Sequence, residues 1–113
     1  MTRPYDKAAY ARWYRDNRAA KVEAVRQIGF ELRLETLSLL GSKCRECGYD
    51  KDLRALHVDH VNDNGADERR RIGMGNVLRK YIRDQILAGS KEYQLLCANC
   101  NLIKGADRKG VKY

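Results

Sequence analysis

No apolar run in this chain approaches the roughly 18 residues that a membrane-spanning helix needs, so no membrane partner is expected. There is a single proline and no low-complexity tract, internal repeat or linker, which makes residues 1–113 one expected domain. The opening Met-Thr-Arg-Pro-Tyr-Asp is polar and lacks the apolar stretch of a secretory signal. Four cysteines without such a signal point to a reducing compartment such as the cytoplasm, and away from disulfides. Acids are scarce: 15 Asp+Glu face 23 Lys+Arg, a formal charge of +8. A small basic chain with that balance partners nucleic acid or another polyanion. At 113 residues it is too short for a doubly wound sheet, a barrel or a large enzyme core.

Residues 4–28 carry Tyr5, Ala9, Trp13, Ala20, Ala24 and Ile28 near helical spacing, with Tyr10 and Tyr14 widening the stripe. Thr2 is the expected N-cap, and Pro4 suits a first helical turn. Gly29 interrupts the pattern. A second helix with Phe30, Leu34, Leu37 and Leu40 inward is expected to stop at Gly41. A polar turn region over 42–52 leads into strand-like alternation from Leu53 to Val61. By composition 62–75 is loop, and Asn76 is the expected cap of a third helix over 77–88 that buries Leu78, Tyr81, Ile82, Ile86 and Leu87. A second strand is expected at Tyr93–Cys97 and a final helix from Asn99 to about Ala106, with a fraying basic tail from Asp107. The expected parts are N-terminal helices over 1–41, a zinc-bound unit over 42–106 and the tail over 107–113.

All four cysteines fall in two pairs, Cys44-x-x-Cys47 and Cys97-x-x-Cys100. Each pair fits a tight turn, and together they can close four thiolates on one tetrahedral zinc ion. Unrelated buried cysteines are rarely spaced this way, and a redox CxxC would leave the other pair unexplained. Four thiolates leave no open position for water or substrate, so the zinc is structural. A zinc deaminase would need His-x-Glu ahead of Pro-Cys-x-x-Cys. Here the upstream element is His57-Val58-Asp59, and neither pair follows a proline.

Both histidines lie in one stretch, His57-Val58-Asp59-His60. A carboxylate can hold a hard divalent cation, and a neighbouring imidazole can take a proton from water. Those two parts serve phosphodiester hydrolysis. The same residues equally suit a polar strand end whose side chains satisfy one another, and a short motif does not separate the two.

The wider pattern does. Leu56-His57-Val58-Asp59-His60-Val61 followed by Tyr93-Gln94-Leu95-Leu96-Cys97-Ala98-Asn99-Cys100-Asn101 resembles the HNH endonucleases. The zinc-containing branch typified by the phage recombination endonuclease VII family is the nearest likeness, from Cys44 to about Gly105. The resemblance implies a zinc-stabilised ββα-metal (His-Me) finger acting on DNA. It implies Asp59 as the metal-binding acid, His60 as general base, Asn101 as second ligand of a catalytic Mg²⁺, Mn²⁺ or other divalent ion, and His57 near the phosphate. Products with 5′-phosphate and 3′-hydroxyl ends follow from the same likeness. The middle Asn of the HNH pattern falls at Glu92, a departure that leaves Asn62, Asn64 and Asn76 as candidate braces of the catalytic loop. A second departure is the insertion over 61–92, longer than a minimal finger requires.

Arg12, Arg15, Arg18 and Lys21 form the densest basic stripe. Such a stripe is often a solvated face paired with acids such as Asp16 and Glu23, but a nuclease must hold a polyanion, and these four are the expected DNA contacts. Arg69, Arg70 and Arg71 in the insertion would touch DNA or join two copies of the chain. Tyr10, Trp13 and Tyr14 are expected to pack rather than stack on bases. One active site cuts one strand, so a double-strand break needs a homodimer or two visits. The expectation is therefore an α+β protein, a zinc-stabilised ββα-metal finger with an N-terminal helical extension, acting as a metal-dependent DNA endonuclease. The alternatives are a non-catalytic zinc-containing DNA-binding module and a phage packaging or assembly protein whose metal serves only folding.

Overall fold

A computed structural model of the protein describes residues 6–112. Asp6 opens the first helix, α1 (Lys7–Leu39). Its carboxylate accepts from the N–H groups of Ala8 and Ala9 at 3.0 and 3.1 Å, satisfying donors that have no partner within the helix. Thr2, Pro4 and Tyr5, read above as cap, first turn and start of the stripe, lie outside the described residues.

The break expected at Gly29 does not occur; α1 runs straight through it. A Cβ at this position would stand 2.9 Å from the Asn76 side-chain oxygen, and Asn76 Nδ2 donates to the Val25 carbonyl at 3.0 Å. Gly29 thus marks where another helix presses against α1. Its helix cost of about 1 kcal/mol is offset by that close approach.

Every residue from Lys7 to Ile28 is exposed except half-buried Ala9 and Asn17, so this part of α1 projects as an arm roughly 30 Å long. The aromatic stripe finds no core. Tyr10 stacks on Trp13 and Tyr14 with ring centroids 6.2 and 6.4 Å apart, and the Lys21 ammonium lies 4.4 Å from the centre of the Trp13 ring. Phe30 and Leu34, expected inward, are exposed. Leu32, Thr36 and Leu37 are the buried positions, because among the described residues the contacts of α1 with the rest of the chain begin only at about Val25. The arm stays helical on propensity: Ala8, Ala9, Ala11, Ala19, Ala20 and Ala24 alternate with Arg and Lys.

Strands β1 (Leu56–His60) and β2 (Tyr93–Cys97) pair antiparallel, Leu56 opposite Cys97 and His60 opposite Tyr93. β2 occupies its expected span; β1 is shorter because residues 53–55 form a 3₁₀ turn capped by Asp52. Alternation puts Leu56, Val58 and His60 on one face with Cys97, Leu95 and Tyr93, and His57 and Asp59 on the other with Leu96 and Gln94. Both faces of β2 are covered, and Leu37, Cys44, Leu56, Leu95, Leu96 and Cys97 make the core.

The segment expected as loop over 62–75 contains a helix, α2 (Gly65–Ile72). Asp67 and Glu68 occupy its first turn and Arg69, Arg70 and Arg71 its last, an order that suits the helix dipole. With almost no apolar residues it has no hydrophobic period to read. Helix α3 (Asn76–Leu87) is preceded by Gly75 at φ +71°, and Gly75 rather than Asn76 holds the cap position. Asn76 is turned toward α1 instead. Along α3, Leu78, Tyr81, Ile82 and Ile86 are half-buried while Leu87 is exposed. Arg83 reaches Glu35 of α1 at 3.2 Å. Helix α4 (Ala98–Arg108) follows β2 directly and takes in Asp107 and Arg108, which were expected to fray. The described residues thus form an α+β fold of four helices and one small two-stranded sheet.

Leu37, 1% exposed, ties the end of α1 to the core. Leu37→Ala is expected to cost about 2–5 kcal/mol, whereas Val22→Ala on the arm should stay within about 0.5 kcal/mol; urea denaturation of both variants checks the contrast.

Candidate functional site

Two turns bring the cysteines together. In the first, the Cys44 N–H donates to the Tyr49 carbonyl and the Gly48 N–H to the Cys44 carbonyl, both at 2.9 Å. Gly48 sits at φ +77°, the left-handed region that glycine enters without steric cost. The Arg45 N–H donates to the Leu95 carbonyl at 2.8 Å and pins this turn to β2. In the second, Cys97 ends β2 and caps α4, its sulfur accepting from the Cys100 N–H at 3.4 Å. The sulfurs of Cys44, Cys47, Cys97 and Cys100 all lie within 4.8 Å of one another, and those of Cys47 and Cys97 are 3.7 Å apart. Thiolates about 2.3 Å from a central ion in a tetrahedron are about 3.8 Å apart. The cluster can hold a structural metal ion such as zinc.

Burial pushes the Cys44 thiol up, but backbone N–H groups of Cys47, Cys97 and Glu46 outweigh it and bring the thiol down to about 6. Cys100 goes the other way, to about 12, through its hydrogen bond with Cys97 and then burial. Four sulfurs this close cannot all ionise without a cation among them.

The end of β1 carries a second polar cluster. Lys104, on α4, donates from Nζ to Asp59 Oδ2 at 2.6 Å and to the His60 carbonyl at 2.8 Å, and lies 3.1 Å from Asp63 Oδ1. Burial disfavours the ammonium, but Asp59 and Asp63 prevail and raise the Lys104 pKa. Gln94 Nε2 donates to the same Asp59 oxygen at 2.8 Å. His57, Asp59, Asp63, Asn101 and Lys104 line one open cavity.

His60 is not among its lining residues. Its ring lies on the opposite face of β1, with Nε2 2.9 Å from Glu68 Oε1. The Tyr93 hydroxyl donates to Glu68 Oε2 at 2.6 Å, and burial followed by the Glu68 carboxylate holds that hydroxyl well above its ordinary pKa. Glu68 is 3% exposed. The structure therefore brings His57, Asp59 and Asn101 together and sends His60 to a separate buried network, as strand alternation requires of neighbours. Arg12, Arg15, Arg18 and Lys21 are exposed on the arm, and Arg69, Arg70 and Arg71 are exposed on α2; none lines the cavity.

Among the candidate braces, Asn76 is committed to α1 and Asn62 is exposed. The Asn64 Oδ1 is buried without a hydrogen-bond partner. The Glu92 carbonyl accepts from the Val61 N–H at 2.9 Å, a backbone role that needs no particular side chain. Sequence reasoning missed Lys104 and Glu68. Lys104 was within reach, since it lies three residues after Asn101 and so on the same side of a helix. Glu68 had no such signal: an acid in a charged stretch reads as solvated.

No family model, curated protein or solved structure matches the chain. The hydrogen bonds from Gln94 and Lys104 both fall on Asp59 Oδ2, and its Oδ1 and the Asn101 amide oxygen are hard donors of the kind that could serve Mg²⁺ or Mn²⁺. The Lys104 ammonium opposes a cation there.

Metal analysis of the purified protein is expected to find one zinc per chain, and a chelator strong enough to strip it should abolish the cooperative thermal transition, since structural zinc contributes on the order of 10 kcal/mol. Undiminished stability after complete removal would reject the tie. Lys104→Met should tighten Mn²⁺ binding to the zinc-loaded protein by about tenfold or more, the effect of deleting one nearby positive charge; calorimetry reads it, and an unchanged Kd would mean that the ammonium does not compete.

Proposed function

We propose that the protein is a metal-dependent DNA endonuclease that hydrolyses phosphodiester bonds, built on a zinc-stabilised ββα-metal finger of the HNH kind. The observation that carries this reading is the convergence of His57, Asp59 and Asn101 on one cavity beside four clustered cysteines. Asp59 and Asn101, 42 positions apart, meet because β1 and β2 pair and α4 continues from β2. The +8 charge supports a polyanionic substrate.

Asp59 and Asn101 would hold the divalent ion, with Gln94 fixing the Asp59 carboxylate from its other oxygen and the Lys104 ammonium on that same oxygen opposing the ion's charge. A bound ion supplies charge neutralisation at the scissile phosphate and at the leaving 3′ oxygen. The HNH likeness assigns the proton of the attacking water to His60, whose ring lies on the other face of β1 from the cavity. His57, on the cavity side, would face the phosphate. The arm holds the backbone: Arg12, Arg15, Arg18 and Lys21 step around α1 by about 60° per interval, the three guanidiniums presenting bidentate donors to phosphates and Lys21 adding a point charge. Arg69, Arg70 and Arg71 on α2 would extend the contact, or join two copies for a double-strand cut.

A second reading is a zinc-containing DNA-binding or assembly module without catalysis. It draws on the Lys104 ammonium already seated on Asp59 and on the separation of His60 from the cavity. Plasmid nicking with and without Mg²⁺ separates the two.

His60→Ala should lower the nicking rate by about 10²-fold to 10⁴-fold while leaving zinc content and DNA affinity intact, and Asp59→Ala should be at least as damaging. A His60→Ala enzyme nicking at the parental rate removes His60 from the mechanism. Replacing Arg12, Arg15 and Arg18 with Gln should reduce the slope of log affinity against log salt by about 2 to 3, read by fluorescence anisotropy on duplex DNA. An unchanged slope would end the claim for the arm.

A further inference from the structure

Glu68 has no part in the chemistry above, yet it is the most deeply buried acid among the described residues, at 3% exposure. It comes from α2, in the insertion that a minimal finger does not need. Both carboxylate oxygens are engaged: Oε1 is 2.9 Å from His60 Nε2, and Oε2 accepts from the Tyr93 hydroxyl at 2.6 Å. Tyr93 also packs edge-on against the His60 ring, with centroids 5.2 Å apart and planes at 65°. The ring is thus fixed from one edge and along one side.

The other edge is approached by the backbone of α2. A Cβ on Gly65 would stand 2.9 Å from His60 Nδ1 and 3.2 Å from Cε1. The same point is 3.4 Å from an Arg69 guanidinium nitrogen, so Gly65 is what lets the α2 backbone come this close to the Nδ1 edge of the ring. The next residue back, Asn64, has its Oδ1 buried without a hydrogen-bond partner.

We infer that Glu68 is the positioning residue for His60: it accepts a hydrogen bond from Nε2–H, holds the imidazole in the Nε2–H tautomer, and so leaves Nδ1 as the nitrogen that can take a proton. The assignment rests on the nuclease reading in taking His60 as the base. A buried carboxylate on the far nitrogen of a histidine orients the ring and selects its tautomer in hydrolases generally, and here Tyr93 keeps that carboxylate from turning away. The helix α2 then has a role beyond enlarging the fold, since it carries both Glu68 and Gly65 to the end of β1.

The test joins long-range ¹H–¹⁵N spectra of the neutral imidazoles to nicking kinetics on the zinc-loaded, full-length protein. With two histidines in the chain, His57→Gln leaves His60 as the single signal. Wild type should show Nε2–H on His60. Glu68→Gln keeps the shape and removes the charge; it should yield a mixed tautomer population and lower kcat by about 10²-fold or more with KM within about threefold. Gly65→Ala should also lower kcat, because its methyl would stand 2.9 Å from Nδ1 and force the ring or α2 to shift. Rescue of Glu68→Gln is not expected from added Mg²⁺. A wild-type Nδ1–H tautomer, or Glu68→Gln turning over within twofold of wild type, overturns the assignment while leaving the nuclease reading standing. Wild-type protein that shows Nε2–H but never nicks DNA overturns the nuclease reading and keeps Glu68 as the residue that holds the ring.

Discussion

Four sulfur atoms within 4.8 Å of one another join two turns that are distant in the chain, and the rest of the molecule hangs on that junction. The first turn follows α1; the second is the corner where β2 becomes α4. Around them the fully buried apolar side chains are few, chiefly Leu37, Leu56, Leu95 and Leu96. A core of this size contributes little against the entropy of ordering a chain of this length. A metal ion held by these sulfurs would tie down a two-stranded sheet that is marginal by itself, together with the end of α1 and the start of α4.

On that platform the decisive constraint is the alternation of side chains along β1. His57 and Asp59 fall on the face met by α4, where Lys104 and Gln94 engage the carboxylate. His60 falls on the face met by α2, where Glu68 and Tyr93 take the imidazole. A strand of five residues therefore serves two polar environments. The insertion between the strands supplies one of them, through α2, and braces α1 through α3, where Asn76 and Arg83 reach the Val25 carbonyl and Glu35.

The arm shows how a periodic pattern can be read correctly as a helix and wrongly as a buried one. Tyr10, Trp13 and Tyr14 recur at helical spacing and do share one side of α1, yet they remain about half exposed. Periodicity reports which side chains are neighbours on a helix; it carries no information on whether anything packs against them. The composition that keeps the arm helical, alanine with arginine and lysine, is also the composition that leaves it charged, so the local stability and the electrostatic character of the arm have one source.

The short-range features were legible from residues alone: the cysteine pairs, the span of β2, the existence of α3 and α4, and the placing of His57, Asp59 and His60 on one strand. Each depends on spacing within a few residues, or on thiol chemistry that admits few alternatives. The continuity of α1 through Gly29, the helix within 62–75, the deep burial of Glu68 and the ammonium on Asp59 were decided only in three dimensions. Gly29 reads as a stop until Asn76 is found 2.9 Å from where its Cβ would be. Glu68 reads as a solvated acid until α2 carries it between His60 and Tyr93. Local sequence determines what an element is and which side chains share its faces. What those faces meet is determined by partners dozens of residues away, since the free energy of burying a carboxylate or seating a lysine depends on groups that only the folded chain brings within hydrogen-bond range.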